Sequence, residues 1–134
     1  MPFTTESEVR LKFQVDDLSI APATLVLQSI DDAHAQILRY LDPAIDIDPV
    51  PVPLALGETL LAGAHLLRSL ASRDAIYQKH ITIGGQRIEP GKRFAALLAL
   101  AAKTEAQAWR ELAPYLAQKA GMEPASTTDT VSVL

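Results

Sequence analysis

The sequence predicts a mainly α-helical fold, a small bundle of about four to five helices with one β-hairpin. Three observations predict it. The chain of 134 residues is 49% hydrophobic but only 5% aromatic, and this Ala- and Leu-rich balance suits closely packed helices better than facing sheets. Apolar residues recur at steps of three and four through several long stretches. The clearest period-two alternation is one short run around Gly84-Gly85.

The first helix is announced by Thr5-Glu6-Ser7-Glu8, a capping box in which the Thr5 hydroxyl takes one orphan amide and Glu8 reaches back to another. Val9 and Phe13 share a face of this helix, which ends near Val15-Asp16-Asp17. A second helix begins around Pro22, whose missing amide has no intrahelical partner in a first turn. It carries Val26, Ile30, Ala33, Ile37 and Leu41 in one stripe, widened by Leu27, His34 and Leu38. Asp42-Pro43 ends it, because a residue before proline is pushed out of the helical region.

Residues 43–53, with prolines at 43, 49, 51 and 53, read as a stiff, extended linker whose Ile and Val residues lie against something. Leu54 to Ser72 reads as a third helix, apolar on most sides and therefore central. Gly57 and Gly63 on it allow another helix to approach closely. From Lys92 to Leu116 a further stripe runs through Phe94, Leu97, Leu98, Ala101, Ala102, Ala108, Trp109, Leu112, Tyr115 and Leu116. It is read as one long helix or as two, since Thr104-Glu105-Ala106-Gln107 is itself a capping-box pattern; Pro114 bends or ends its last turns. The domain reading is one helical unit over residues 1–120 and a flexible polar tail over 121–134.

The β signal is KHITIGGQRIEP, residues 79–90. Gly84-Gly85 suits a two-residue primed turn, and the register then sets Ile81 opposite Ile88. Ile81, Ile83 and Ile88 share one face, and His80, Thr82, Arg87 and Glu89 the other. An isolated hairpin is marginal in water, so this one must pack on helices or on a neighbouring molecule. Ile81, Ile83, Gly84, Gly85, Arg87 and Ile88 are therefore the candidate protein-interface residues.

Other chemistries find little support. With no cysteine, disulfides, thiolate metal sites and cysteine nucleophiles are excluded. His34, His65 and His80 form no paired ligand motif, although His34 could bond Asp31 one turn earlier, so no metal is expected. Asp16-Asp17, Asp31-Asp32 and Asp46/Asp48 read as capping or solvated residues. Gly84, Gly85, Gly91 and Lys92 fail the phosphate-loop spacing, because Gln86 stands where a Gly is needed and Arg93 where a Ser or Thr is needed. No serine lies in a G-x-S-x-G elbow, and no cofactor motif or catalytic residue is found. The net charge of −4 and scattered basic residues argue against a nucleic-acid-binding patch. Apolar segments are too often interrupted to span a bilayer, and no signal peptide is visible. Ser132-Val133-Leu134 matches a minimal carboxylate-capture pattern, too short to carry a reading.

The order of parts is more informative than any single motif. TESEVRLKFQVDD and DDAHAQILRYLD resemble the two opening helices of the head–tail connector (adaptor) proteins of tailed phages and prophages, and the Ile-Gly-Gly-Gln turn resembles their protruding β element. The similarity covers roughly Thr5 to Leu116; the proline-rich linker and the polar tail depart from the pattern. The resemblance implies a non-enzymatic structural protein of the virion or host cytoplasm. It would assemble as an oligomeric ring between the portal and the tail or stopper proteins and extend the DNA channel. The alternative is a small helical interaction or regulatory module acting as a dimer. A helix-turn-helix version of that alternative lacks the Arg-, Lys-, Asn- or Gln-rich recognition face it needs.

Overall fold

The computed structural model describes residues 1–83 and 90–117. Within them the chain forms a bundle of four α-helices, α1 (Glu6–Phe13), α2 (Ala23–Tyr40), α3 (Val52–Ile83) and α4 (Pro90–Leu112), followed by a 3-10 turn, Ala113–Tyr115. The apolar helix α3 is the central element and packs against α1, α2 and α4. Its residues Leu54, Leu60, Leu61, Ala62 and Leu66 join Val26, Ile30, Ala33 and Ile37 of α2 and Ala108 and Leu112 of α4 in the core.

The helix starts follow local chemistry. Thr5 caps α1, its hydroxyl accepting the Glu8 amide at 3.2 Å. Gln14 closes α1 in the left-handed conformation (φ 56°), its amide directed at the Arg10 and Leu11 carbonyls. Pro22, with φ −61° and ψ 154°, stands just before α2 rather than in its first turn. Between the two helices Arg10 acts as a staple. Its guanidinium bonds Glu6 Oε2 at 2.8 Å, the Val15 carbonyl at 3.1 Å and the Ala21 carbonyl at 2.8 Å.

The two glycines of α3 serve close contacts. A Cβ on Gly57 would lie 2.5 Å from Leu112 Cγ, and one on Gly63 would overlap the Phe13 ring. Gly57 thus admits the end of α4, and Gly63 admits the last turn of α1.

Several sequence expectations need correction. The third helix begins two residues early, at Val52, and runs on to Ile83 instead of stopping at Ser72. Pro53 is tolerated in its first turn because amides there have no intrahelical acceptor. The extended linker is instead folded by local turns, in which Asp42 Oδ1 accepts from the Ala44 amide at 2.9 Å and Asp46 Oδ1 from Asp48 at 3.0 Å. The Asp48–Pro49 bond is cis. Thr104 does not start a new helix: it is buried on the inner face of an unbroken α4. Leu27 and Leu38 do not widen the buried stripe of α2, being 48% and 49% exposed.

The hairpin expectation fares differently in its two halves. Residues 79–83 are helical backbone, the last turn of α3, where the sequence reading has the first strand. The turn and second strand, residues 84–89, lie outside the described residues. β pairing among the described residues occurs elsewhere, as an antiparallel bridge between Leu41 and Leu116. Asp42 N donates to Tyr115 O at 2.9 Å and Ala117 N to Tyr40 O at 2.8 Å, clamping the chain after α4 onto the end of α2.

Candidate interaction surface

The polar groups that might have carried chemistry are occupied in holding the fold. Glu58 of α3 is fully buried, and its Oε2 accepts the Phe3 and Thr4 amides at 2.6 and 3.0 Å. Its Oε1 lies 2.7 Å from His34 Nδ1, which donates, since a carboxylate oxygen can only accept. The Phe3 ring packs edge-on to His34 with centroids 4.8 Å apart, and the Thr4 and Thr59 hydroxyls meet at 2.6 Å. This cluster fastens the N-terminal segment across α2 and α3. His34 therefore pairs with Glu58 and not with Asp31.

The paired acids are used locally. Asp17 Oδ1 accepts the Ser19 amide at 2.9 Å and the Ser19 hydroxyl at 2.7 Å, and these bonds hold the Asp17 carboxyl below its ordinary pKa of 3.8. Asp32 accepts from Gln28 at 3.0 Å. His65 Nε2 lies 3.1 Å from Gln36 Oε1. Among the described residues no three His, Asp or Glu side chains come together as a metal-binding group, and no helix is long and apolar enough to cross a membrane.

What the geometry leaves open is apolar surface, and α4 carries much of it. The helices α3 and α4 run antiparallel, tied by Arg68–Glu105 at 2.6 Å and Arg93–Asp74 at 2.7 Å. Asp74 holds the exposed Arg93 guanidinium above its usual pKa. The α1–α2 loop reaches α3 at Arg73, whose guanidinium meets the Ile20 carbonyl. Beyond Arg73 α3 continues for ten more residues to Ile83, about 15 Å of helix. Level with Arg68 to Asp74 of α3, residues 94–102 of α4 read FAALLALAA without a charge. Ala101 is buried, Phe94 and Leu97 are half-buried, and Ala95, Ala96, Leu98, Ala99, Leu100 and Ala102 are exposed. At 100° per residue, Leu98 shares a shoulder of α4 with Ala95, Ala99 and Ala102, while Leu100 and Ala96 lie on the other.

A second apolar surface lies between α1, the linker and the start of α3. Glu8, Leu11, Lys12, Val50, Val52, Ala55, Leu56 and Thr59 line a groove of about 630 Å³. Leu11 and Val52 are 77% and 78% exposed, high values for large aliphatic side chains.

Of the sequence-predicted interface residues, Ile81 and Ile83 fall in the last turn of α3, at the far end of the α3–α4 pair. Gly84, Gly85, Arg87 and Ile88 lie outside the described residues. The expected stripe on α4 includes Leu98 and Ala102, which the structure leaves exposed, and it does not mark the exposed Leu100 as surface. The signal was present: nine consecutive uncharged, apolar positions exceed what one buried helix face requires. No family model matches the chain, and no curated protein or solved structure matches it either.

Proposed function

We propose that this protein is a non-enzymatic structural module that associates with copies of itself and with other protein surfaces. In the form its sequence resembles, it is a head–tail connector subunit of a tailed phage or prophage, assembling as a ring between portal and tail proteins. The observation that carries the reading is the uncharged outer stretch of α4, where six apolar side chains between Ala95 and Ala102 face solvent. Contiguous apolar helix surface of this kind marks protein contact sites. The −4 net charge adds support for a channel lining, since an acidic wall would not grip passing DNA. The same helix face would equally serve a two-fold dimer, the alternative reading, and assembly size separates the two.

The test is light scattering and negative-stain electron microscopy of the wild type and Leu98→Asp, alone and mixed with candidate portal protein. Ring-shaped particles that Leu98→Asp abolishes without loss of helical circular dichroism are the expected result. A dimer in place of rings selects the alternative. Unchanged assembly in Leu98→Asp would remove α4 as the contact surface.

A further inference from the structure

The groove between α1, the linker and the start of α3 keeps large aliphatic side chains in water, with Leu11 and Val52 77% and 78% exposed. Its lining carries one acid, Glu8, and one base, Lys12, which cancel, so the groove as a whole is apolar and uncharged. A volume of about 630 Å³ is that of a site for a small ligand or a few residues of chain.

Two stretches of this chain lie outside the described residues. Residues 84–89 follow Ile83, about 36 Å of helix beyond Thr59, the last groove residue on α3. Joined to α4 at Pro90, they cannot return to the groove. Residues 118–134 start from the groove's own end of the bundle. Leu112 packs at Gly57, and Ala117 N donates to Tyr40 O at 2.8 Å, beside the start of the linker whose last residues line the groove. The way from there around α3, a cylinder about 10–12 Å across, is on the order of 30 Å. Residues 118–129 span up to about 40 Å when extended. They hold all the charges of the tail, Lys119, Glu123 and Asp129, and the next five residues, Thr130 to Leu134, are uncharged.

We propose that residues 130–134, Thr-Val-Ser-Val-Leu, occupy this groove in the same molecule, a self-contact that any protein binding between α1 and the start of α3 must displace. In an extended segment Val131 and Val133 point to one side, and they meet Leu11 and Val52 across the groove. An uncharged segment matches a lining whose charges cancel. Connection decides between this tail and a separate molecule. A tether long enough to span the path holds the segment at a local concentration in the millimolar range, so even weak binding fills the groove. The inference is independent of what the α4 shoulders bind.

The chain has no cysteine, so a reporter pair can be introduced cleanly. Val52→Cys/Val133→Cys in the full chain puts one thiol at the groove and one on the segment, and a disulfide forms only where the Cα atoms come within about 7 Å. Mild oxidation is expected to give a cross-linked monomer of 14.5 kDa in denaturing, non-reducing gels. The control is Leu27→Cys/Val133→Cys. Leu27 is exposed on α2 about 20 Å from Tyr40, within the tether's reach but not part of the groove lining. This pair is expected to close about tenfold more slowly, and adding Leu11→Asp should slow the groove pair to the same rate. Equal rates for the two pairs overturn the inference, because an unseated tail meets both positions. Disulfide-linked dimers in place of the cross-linked monomer overturn it too, and assign the groove to a second molecule's tail. Independently, Val131→Asp/Val133→Asp in an otherwise unchanged chain is expected to shift the backbone amide NMR signals of Leu11 and Ala55. Signals identical to those of the wild type overturn the inference without any cross-link.

Discussion

Within α3, Glu58 accepts three hydrogen bonds while fully removed from water, and its partners come from 24 to 55 positions away in the chain. Glu58→Ala removes both acceptor oxygens and leaves the Phe3 and Thr4 amides and the His34 ring without their partner. Loss of about 3 kcal/mol is expected, read as a lower urea midpoint at unchanged slope. Gly63→Ala drives a methyl into the Phe13 ring and is expected to destabilise by about 1–3 kcal/mol. Gln14→Gly acts in the opposite direction, because glycine adopts the left-handed cap at φ 56° without the Cβ penalty, and a gain of about 1 kcal/mol is expected. The Asp17 carboxyl is held low by Ser19, so its contribution is present above the ordinary value of 3.8 and is lost as pH falls through the lowered folded-state value. Ser19→Ala should return the Asp17 titration toward 3.8, as followed by carboxyl NMR shifts. An isolated acid in an apolar helix signals a buried partner, but sequence separation hides which one: Asp31, one turn from His34, was the near candidate, and tertiary packing chose Glu58.

At the level of elements, helix starts were legible wherever one local interaction decides them, as at Thr5. Ends set by packing were not. Ser72-Arg73-Asp74 looks like a place to stop, yet Asp74 is paired with Arg93 and the helix continues. The same continuation makes residues 79–83 helical, against β-branched alternation that locally favours a strand. Cα secondary shifts from Lys79 to Ile83 should be helical; extended shifts would restore the strand. Because α3 is enclosed by three helices, truncation in its middle is costly: Leu61→Ala should remove about 2–5 kcal/mol, measured by denaturant unfolding.

For the molecule as a whole, the clamp between Leu41 and Leu116 ties the end of α2 to the chain after α4. A chain ending at Ala117 keeps both clamp hydrogen bonds, while one ending at Ala113 loses both and should melt several degrees lower. Trp109, half-buried with its ring 6.2 Å from that of Tyr40 at an edge-on angle, should report the difference as a red shift in its emission. Nothing in the period of either segment announces this bridge, since two short pairings between residues 75 positions apart carry no local pattern.

The sequence by itself determined the helical class, the Thr5 cap and the Val26, Ile30, Ala33 and Ile37 stripe of α2, because each follows from neighbours within a turn or two of the chain, and it marked Gly57 and Gly63 as points of close approach without naming what approaches. The extent of α3, the partner of His34, the Leu41–Leu116 bridge and the exposure of the α4 shoulders were decided only by tertiary structure. An apolar residue is written the same way whether another helix covers it or not. Coverage depends on where α1 and α2 run out, and the loop at Ile20 reaches α3 only as far as Arg73.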